Sequence, residues 1–180
     1  MKGAIPPTAD LYTETAAIRQ NVSDLINTGH YLIVLMHSYG GQENQSIIRA
    51  NKQDGHDEFI PVLFNYAEDN TCVPTEPKRL VGPELSDENL EAYLAGLGRL
   101  SGKVYGPLEH CAWRDIPVSY VQTPDDGQMP FDYQKGFAEV MEATGCNART
   151  FAIETGHCSN ITAPEEFAKT IEQVVAGAVA

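Results

Sequence analysis

From Tyr31 to Gly41 the chain reads Tyr-Leu-Ile-Val-Leu-Met-His-Ser-Tyr-Gly-Gly, an apolar run that stops at a serine followed by paired glycines. Such a run, bounded by turn formers, is too short for an exposed helix and suits a strand of a buried parallel sheet. Where a strand turns straight into a helix, a serine at the corner is held in a strained conformation with its Oγ projecting, and residues two away must be small. Gly40 meets that requirement for Ser38. Met36 stands where the usual G-x-S-x-G pattern has glycine, so an elbow here needs support from an acid and a histidine farther along.

Around this run the periodicity alternates. The spacing of Ile18, Val22, Leu25 and Ile26 predicts a helix from Asp10 to about Asn27, with Thr8 or Asp10 as cap and Gly29 past its end. A second helix is expected from Tyr39 to about Ala50. Between Asn51 and His110, Gly, Pro, Asp and Asn break the pattern, apart from a helix capped at Ser86 with Leu90, Tyr93, Leu94 and Leu97 on one face. This stretch, about 52–112, reads as a lid-like insertion. Ile116–Val121 and Thr150–Ile153 are further strand candidates, separated by a helix over 131–143 that carries Phe137, Val140 and Met141. Thr162-Ala-Pro-Glu starts a last helix, with Thr162 as cap and Phe167, Ile171, Val174 and Val175 as its apolar stripe. Strands alternating with helices predict a right-handed, mostly parallel α/β sheet in one domain spanning 1–180.

Composition narrows the partners. The formal net charge of −13 repels nucleic acid and anionic membranes, and a small uncharged ligand fits it better. Met1 to Pro7 has no apolar core of a secretory signal, and no apolar run reaches membrane-spanning length, so a soluble cytoplasmic protein is expected. Cys72, Cys111, Cys146 and Cys158 lack C-x-x-C spacing, as free thiols would. Asn21-Val-Ser and Asn160-Ile-Thr match the glycosylation sequon but read as chance matches in that setting.

A serine hydroxyl is a poor nucleophile near neutral pH unless a histidine takes its proton and a carboxylate orients that histidine. After the strand ending near Val121 comes Gln122-Thr-Pro-Asp-Asp-Gly-Gln-Met-Pro, which offers Asp125 and Asp126. After the strand ending at Ile153 comes Glu154-Thr-Gly-His-Cys, which places His157 on the next loop, where Gly156 permits a tight bend. Loops at the C-terminal ends of parallel strands share one edge of the sheet, so Ser38, an aspartate and His157 are expected to converge.

His-Ser-Tyr-Gly-Gly, Ala112-Trp-Arg-Asp-Ile-Pro-Val-Ser-Tyr, Thr-Pro-Asp-Asp-Gly-Gln-Met-Pro with Gln134 following, and Thr-Gly-His-Cys together resemble the α/β-hydrolase superfamily. The resemblance is nearest to small esterase-like members related to plant methyl-ester esterases, which also abound in fungi, and it runs from about Asp10 to the C-terminus. It implies Ser38 as nucleophile, His157 as base and Asp126, four residues before Pro130, as acid, with Asp125 as the alternative. The Tyr39 N–H would be one oxyanion donor. Two departures stand out. The family's first strand and its oxyanion-donating His-Gly loop have no counterpart before Asp10, and the polar Asn51–Asp57 stretch replaces another core strand. A sheet lacking those strands would leave the edge of the Tyr31–Met36 strand to a second copy, to a partner chain, or bare in a shortened gene product.

Other chemically suggestive residues have plainer readings. Strand alternation turns His37 away from Ser38, toward packing or hydrogen bonding. His110 and Cys111, beside Trp113, suit a lid edge or core, and Cys158 lines the site. His30 and His56 read as solvated. The acidic run over 84–91 is helix-start charge. Tyr93, Leu94, Leu97 and Tyr105 pack a helix or line a pocket. The expected function is hydrolysis of a small, fairly apolar ester, thioester or lactone, without metal or organic cofactor. The alternatives are a non-hydrolytic binder of the same fold, or a lyase or dehydratase of secondary metabolism.

Overall fold

A computed structural model describes residues 10–38, 64–66, 71–74, 76–98, 100–101 and 112–178. Helix α1 spans Leu11–Asn27. Of the two expected caps, Asp10 serves, its Oδ1 accepting from the Thr13 N–H at 2.8 Å and the Thr13 hydroxyl at 2.6 Å; Thr8 lies outside the described residues. The helix closes through His30 N–H to Leu25 O at 3.1 Å and Gly29 N–H to Ile26 O at 2.9 Å, with Gly29 at φ 86°. A helix end of this kind needs a left-handed residue, which glycine supplies without a Cβ clash. His30 is exposed, as expected, and its Nδ1 lies 3.0 Å from Thr28 Oγ1.

The structure corrects the expected strand at Tyr31–Met36. Residues 31–37 have no regular secondary structure, and Ile33, Val34, Leu35 and Met36 are all exposed. An apolar run becomes a strand only where a neighbour takes its backbone hydrogen bonds, and among the described residues none does. The helix expected over 39–50 and the polar stretch Asn51–Asp57 lie outside the described residues.

Within the expected insertion, β1 (Phe64–Tyr66), β2 (Thr71–Pro74) and β3 (Leu100–Ser101) form an antiparallel sheet in that order, with Phe64 opposite Pro74 and Thr71 opposite Ser101. No strand was expected there. Between β2 and β3 run α2 (Pro77–Val81) and α3 (Asp87–Gly96), the latter the anticipated helix, with Ser86 Oγ accepting from the Asn89 N–H and Asp87 and Glu88 in its first turn. Leu90, Tyr93 and Leu94 are half-buried and Leu97 is exposed.

A βαβ unit forms the rest. Strands β4 (Ser119–Gln122) and β5 (Arg149–Ala152) pair in parallel through Ser119↔Arg149 to Gln122↔Ala152, joined by α4 (Phe131–Ala143). The sheet is parallel as expected, and among the described residues it has two strands. Phe137 and Met141 of α4 meet Trp113 in the core, with Val118, Tyr120 and Val140 packed around them. Ile116, expected within a strand, is exposed. At the C-terminus a short α5 (Ser159–Thr162) precedes α6 (Pro164–Ala178). Thr162 does not cap α6: its hydroxyl donates to Cys158 O and meets Thr155 Oγ1 at 2.6 Å, while Ala163 O accepts the first helical bond, from Phe167 N–H. The α6 stripe is half-buried at Phe167, Ile171 and Val174 and exposed at Val175.

Phe137, 1% exposed, fills the centre of this packing. Phe137→Ala should lower stability by about 3–5 kcal/mol, seen as a fall of roughly 10 °C in thermal midpoint. A fall under about 3 °C would mean that the Trp113–Phe137–Met141 cluster does not carry the fold.

Candidate active site

The loop from Thr123 to Pro130 leaves the end of β4 and carries both candidate acids, which the structure separates. Asp125 is exposed. Asp126 is 7% exposed, and its Oδ1 accepts from the N–H groups of Gln128 at 2.7 Å and Met129 at 2.8 Å. Its Oδ2 accepts from Thr123 Oγ1 at 3.2 Å and His157 Nδ1 at 2.8 Å. Burial alone would raise the Asp126 pKa. The hydrogen bond and charge of His157, with the Met129 and Gln128 N–H groups, outweigh it and hold the carboxyl below its ordinary range. Nearby, Tyr120 is pushed well up, by burial first and then by the Asp126 charge.

Gln134 in the first turns of α4 latches this loop. It is 2% exposed; its Nε2 donates to Thr123 O and Met129 O, and its Oε1 accepts from Thr123 N–H at 2.8 Å. One amide thereby ties both ends of the acid loop to the helix that follows. From the other side, Arg79 of α2 donates to Gly127 O at 2.9 Å.

His157 sits on the buried loop after β5. Gly156 packs closely there: a Cβ would lie 3.0 Å from Gly82 Cα and 3.4 Å from Val81 O, so the neighbouring backbone would have to give by a few tenths of an ångström. Cys158 N–H donates to Val81 O at 3.3 Å and its Sγ to Leu80 O at 3.5 Å, so α2 backs the base. Cys158 is buried and not disulfide-bonded, as is the half-buried Cys146. Its thiol pKa is raised, chiefly by burial and further by the Asp126 charge, against a lowering hydrogen bond from Tyr93. A thiol so held stays protonated and is no nucleophile. Tyr93 Oη lies 4.0 Å from Cys158 Sγ, and its pKa is pushed up to about 12 by burial and by Cys158.

Ser38 completes the arrangement, with Oγ 2.9 Å from His157 Nε2. Its φ is 53°, and among the described residues it is the one non-glycine in the left-handed region. That conformation costs a side-chain-bearing residue about 1–2 kcal/mol. His37 does not point away as strand alternation would have it: its Nε2 lies 2.7 Å from His157 O, and the two rings are 4.9 Å apart. Desolvation lowers the His37 pKa although the His157 carbonyl opposes this. Tyr39, Gly40, His56, Tyr105, His110 and Cys111 lie outside the described residues.

Tautomers follow from partners. A carboxylate only accepts, so His157 Nδ1 bears its hydrogen toward Asp126, and Nε2 faces the Ser38 hydroxyl, where a neutral ring presents its lone pair. The geometry can therefore move a proton from serine to histidine. The order Ser38, Asp126, His157 was readable in the sequence. The Gln134 latch and the His37 bond were not, since nothing in the local pattern says which carbonyl an amide or imidazole will meet.

No protein-family model matches the chain. Over 198 residues it is 24% identical to a probable hydrolase, R7, of Phoma sp., covering 93% of this chain and 80% of the relative. Among solved structures, the pyrethroid hydrolase PytH, determined with BIF, superposes with a TM-score of 0.58 at 14% identity, over 94% of this chain and 79% of its own. The chain is a distant relative of a probable hydrolase and shares an α/β fold with another. Among the described residues no helix is long and apolar enough to cross a membrane.

Asp126→Asn should lower the unfolding free energy at neutral pH by about 1–3 kcal/mol, and Asp125→Asn by less than about 0.5 kcal/mol. A carboxyl whose folded pKa lies below its unfolded value of about 3.9 stabilises the fold above that value, and the stabilisation is lost as pH falls through the folded pKa. Urea midpoints of wild type and Asp126→Asn should therefore draw together as pH falls below about 4. A gap that stays constant would show that the folded carboxyl is not held low.

Proposed function

We propose that the protein is a serine hydrolase acting on a small, fairly apolar ester, thioester or lactone through Ser38, His157 and Asp126. The observation that carries this reading is the unbroken hydrogen-bonded chain from Ser38 Oγ through His157 to a buried carboxylate, beginning at a serine in left-handed backbone. Its likeness in sequence to a probable hydrolase supports the same reaction class.

In this reaction Ser38 Oγ attacks the substrate carbonyl carbon while His157 Nε2 takes its proton. The tetrahedral oxyanion collapses, the bond to the leaving oxygen or sulfur breaks, and His157 returns the proton to that atom. Water then attacks the acyl-serine with His157 again as base, releasing the acid and restoring Ser38. Asp126 keeps His157 in the Nδ1–H tautomer and stabilises the imidazolium that forms in each half. The Tyr39 N–H is assigned to the oxyanion. The 52–112 insertion acts as a lid, and Tyr93 of α3 within it reaches the thiol of Cys158, the residue after His157, at 4.0 Å. A net charge of −13 favours an uncharged substrate over an anionic one.

A fluorophosphonate probe should label Ser38, located by peptide mass mapping, and p-nitrophenyl ester turnover should vanish in Ser38→Ala. Asp126→Asn should reduce kcat by about 10⁴-fold by favouring the wrong tautomer. A folded protein that neither labels at Ser38 nor turns over any ester of a chain-length series would sink the hydrolase reading and leave a binder.

A further inference from the structure

Ser38 follows a segment that gives it little support. Residues 31–37 lack regular structure, and Leu35 and Met36 just ahead of it are exposed. Yet its Oγ lies within hydrogen-bond distance of His157 Nε2, which a strained, left-handed residue on a segment with no strand partner among the described residues would not maintain alone. The neighbouring side chain supplies a second tie. His37 Nε2 lies 2.7 Å from the His157 carbonyl oxygen, and since a carbonyl only accepts, Nε2 carries the hydrogen.

We propose that His37 is a positioning residue of this site: its Nε2–H bond to His157 O locks the backbone before the serine to the backbone of the base, and so sets the Ser38–His157 separation. This rests on the hydrolase reading above. Two consecutive residues grip one residue at two points, Ser38 at the ring and His37 at the carbonyl, so the serine segment cannot pivot about either bond alone. The grip acts on a backbone already fixed, since Cys158 N–H is bonded to Val81 O and Asp126 holds the other ring nitrogen. Among the described residues, the titratable groups that bear on His37 are His157 and Asp126. Desolvation lowers the His37 pKa, in the direction that disfavours a second cation 4.9 Å from the His157 ring.

The test compares His37→Phe, which keeps a ring without the donor, with His37→Gln, whose amide N–H reaches about where Nε2 does. His37→Phe should lose about ten- to a hundredfold in kcat with KM within about twofold, as misplacement of reacting groups does. His37→Gln should recover most of that loss at an unchanged thermal midpoint. A kcat for His37→Phe within about twofold of wild type, or a glutamine variant no faster than the phenylalanine one, overturns the proposal. A second readout does not need turnover. In protein labelled with ¹⁵N-histidine, His37 should show the neutral Nε2–H tautomer, and the downfield Nδ1–H resonance of His157 should be sharp in wild type and His37→Gln and broadened in His37→Phe. If that pattern holds while no variant turns over ester, the hydrolase reading fails and the positioning role stands. An Nδ1–H tautomer at His37 defeats the positioning role whatever the enzyme does.

Discussion

A carboxylate buried in protein costs several kcal/mol unless donors replace the water it gives up. Asp126 has four: two backbone N–H groups, the Thr123 hydroxyl and His157 Nδ1. Meeting that demand organises everything around it. The loop must curl so that the Gln128 and Met129 N–H groups point inward, and Gln134 holds the curl by gripping both of its ends from α4. The fourth donor comes from the loop after β5, so the paired ends of β4 and β5 are stapled together where their ladder stops. The last ladder bond, Ile153 N–H to Gln122 O, lies just beneath the staple.

Those bonds also determine chemistry. With Nδ1 committed to Asp126, His157 has one direction in which it can accept a proton. Stability and tautomer are thus one constraint, and the groups that set it are spread over α2, the acid loop, α4 and the base loop. Gly156 shows how tight the assembly is, since even a methyl group there would press on the Gly82 backbone. His157 is held by contacts that do not involve Ser38, and Ser38 meets it at Nε2.

What the sequence revealed follows from the range of the forces involved. Asp126 and His157 were legible as candidates because each stands a few residues beyond a short strand candidate flanked by turn residues, a local signal, at β4 and β5. Asp125 and Asp126 look alike in the local pattern; the resemblance to a family favours Asp126, and the structure buries it and bonds it to His157. The helix end at Gly29 was within reach because capping is local, whereas Thr162 misled: its Thr-Ala-Pro-Glu context promises a cap, but its hydroxyl is drawn to Thr155 and Cys158 O. Strands β1 to β3, two to four residues each, are too short to show a period. The Tyr31–Met36 run failed the other way. Its hydrophobicity states what it would do beside a partner strand and carries no information on whether one is there.

That failure sharpens the reading of the serine. Had residues 31–36 been the central strand of a wide sheet, ladder hydrogen bonds on both sides would fix the height of Ser38 over the sheet edge, and the identity of its predecessor would matter little. Strand alternation would also send residue 37 to the opposite face from the serine. Here the ladder is missing among the described residues and the alternation is broken by the left-handed turn at Ser38, so both side chains reach the same histidine. The two imidazoles then divide the work by where their hydrogens sit. His37 Nε2 and His157 Nδ1 each spend a hydrogen on an oxygen that can only accept, and both of those bonds are structural. His157 Nε2 faces the Ser38 hydroxyl with its lone pair open, and on the proposed reading the serine proton moves to it.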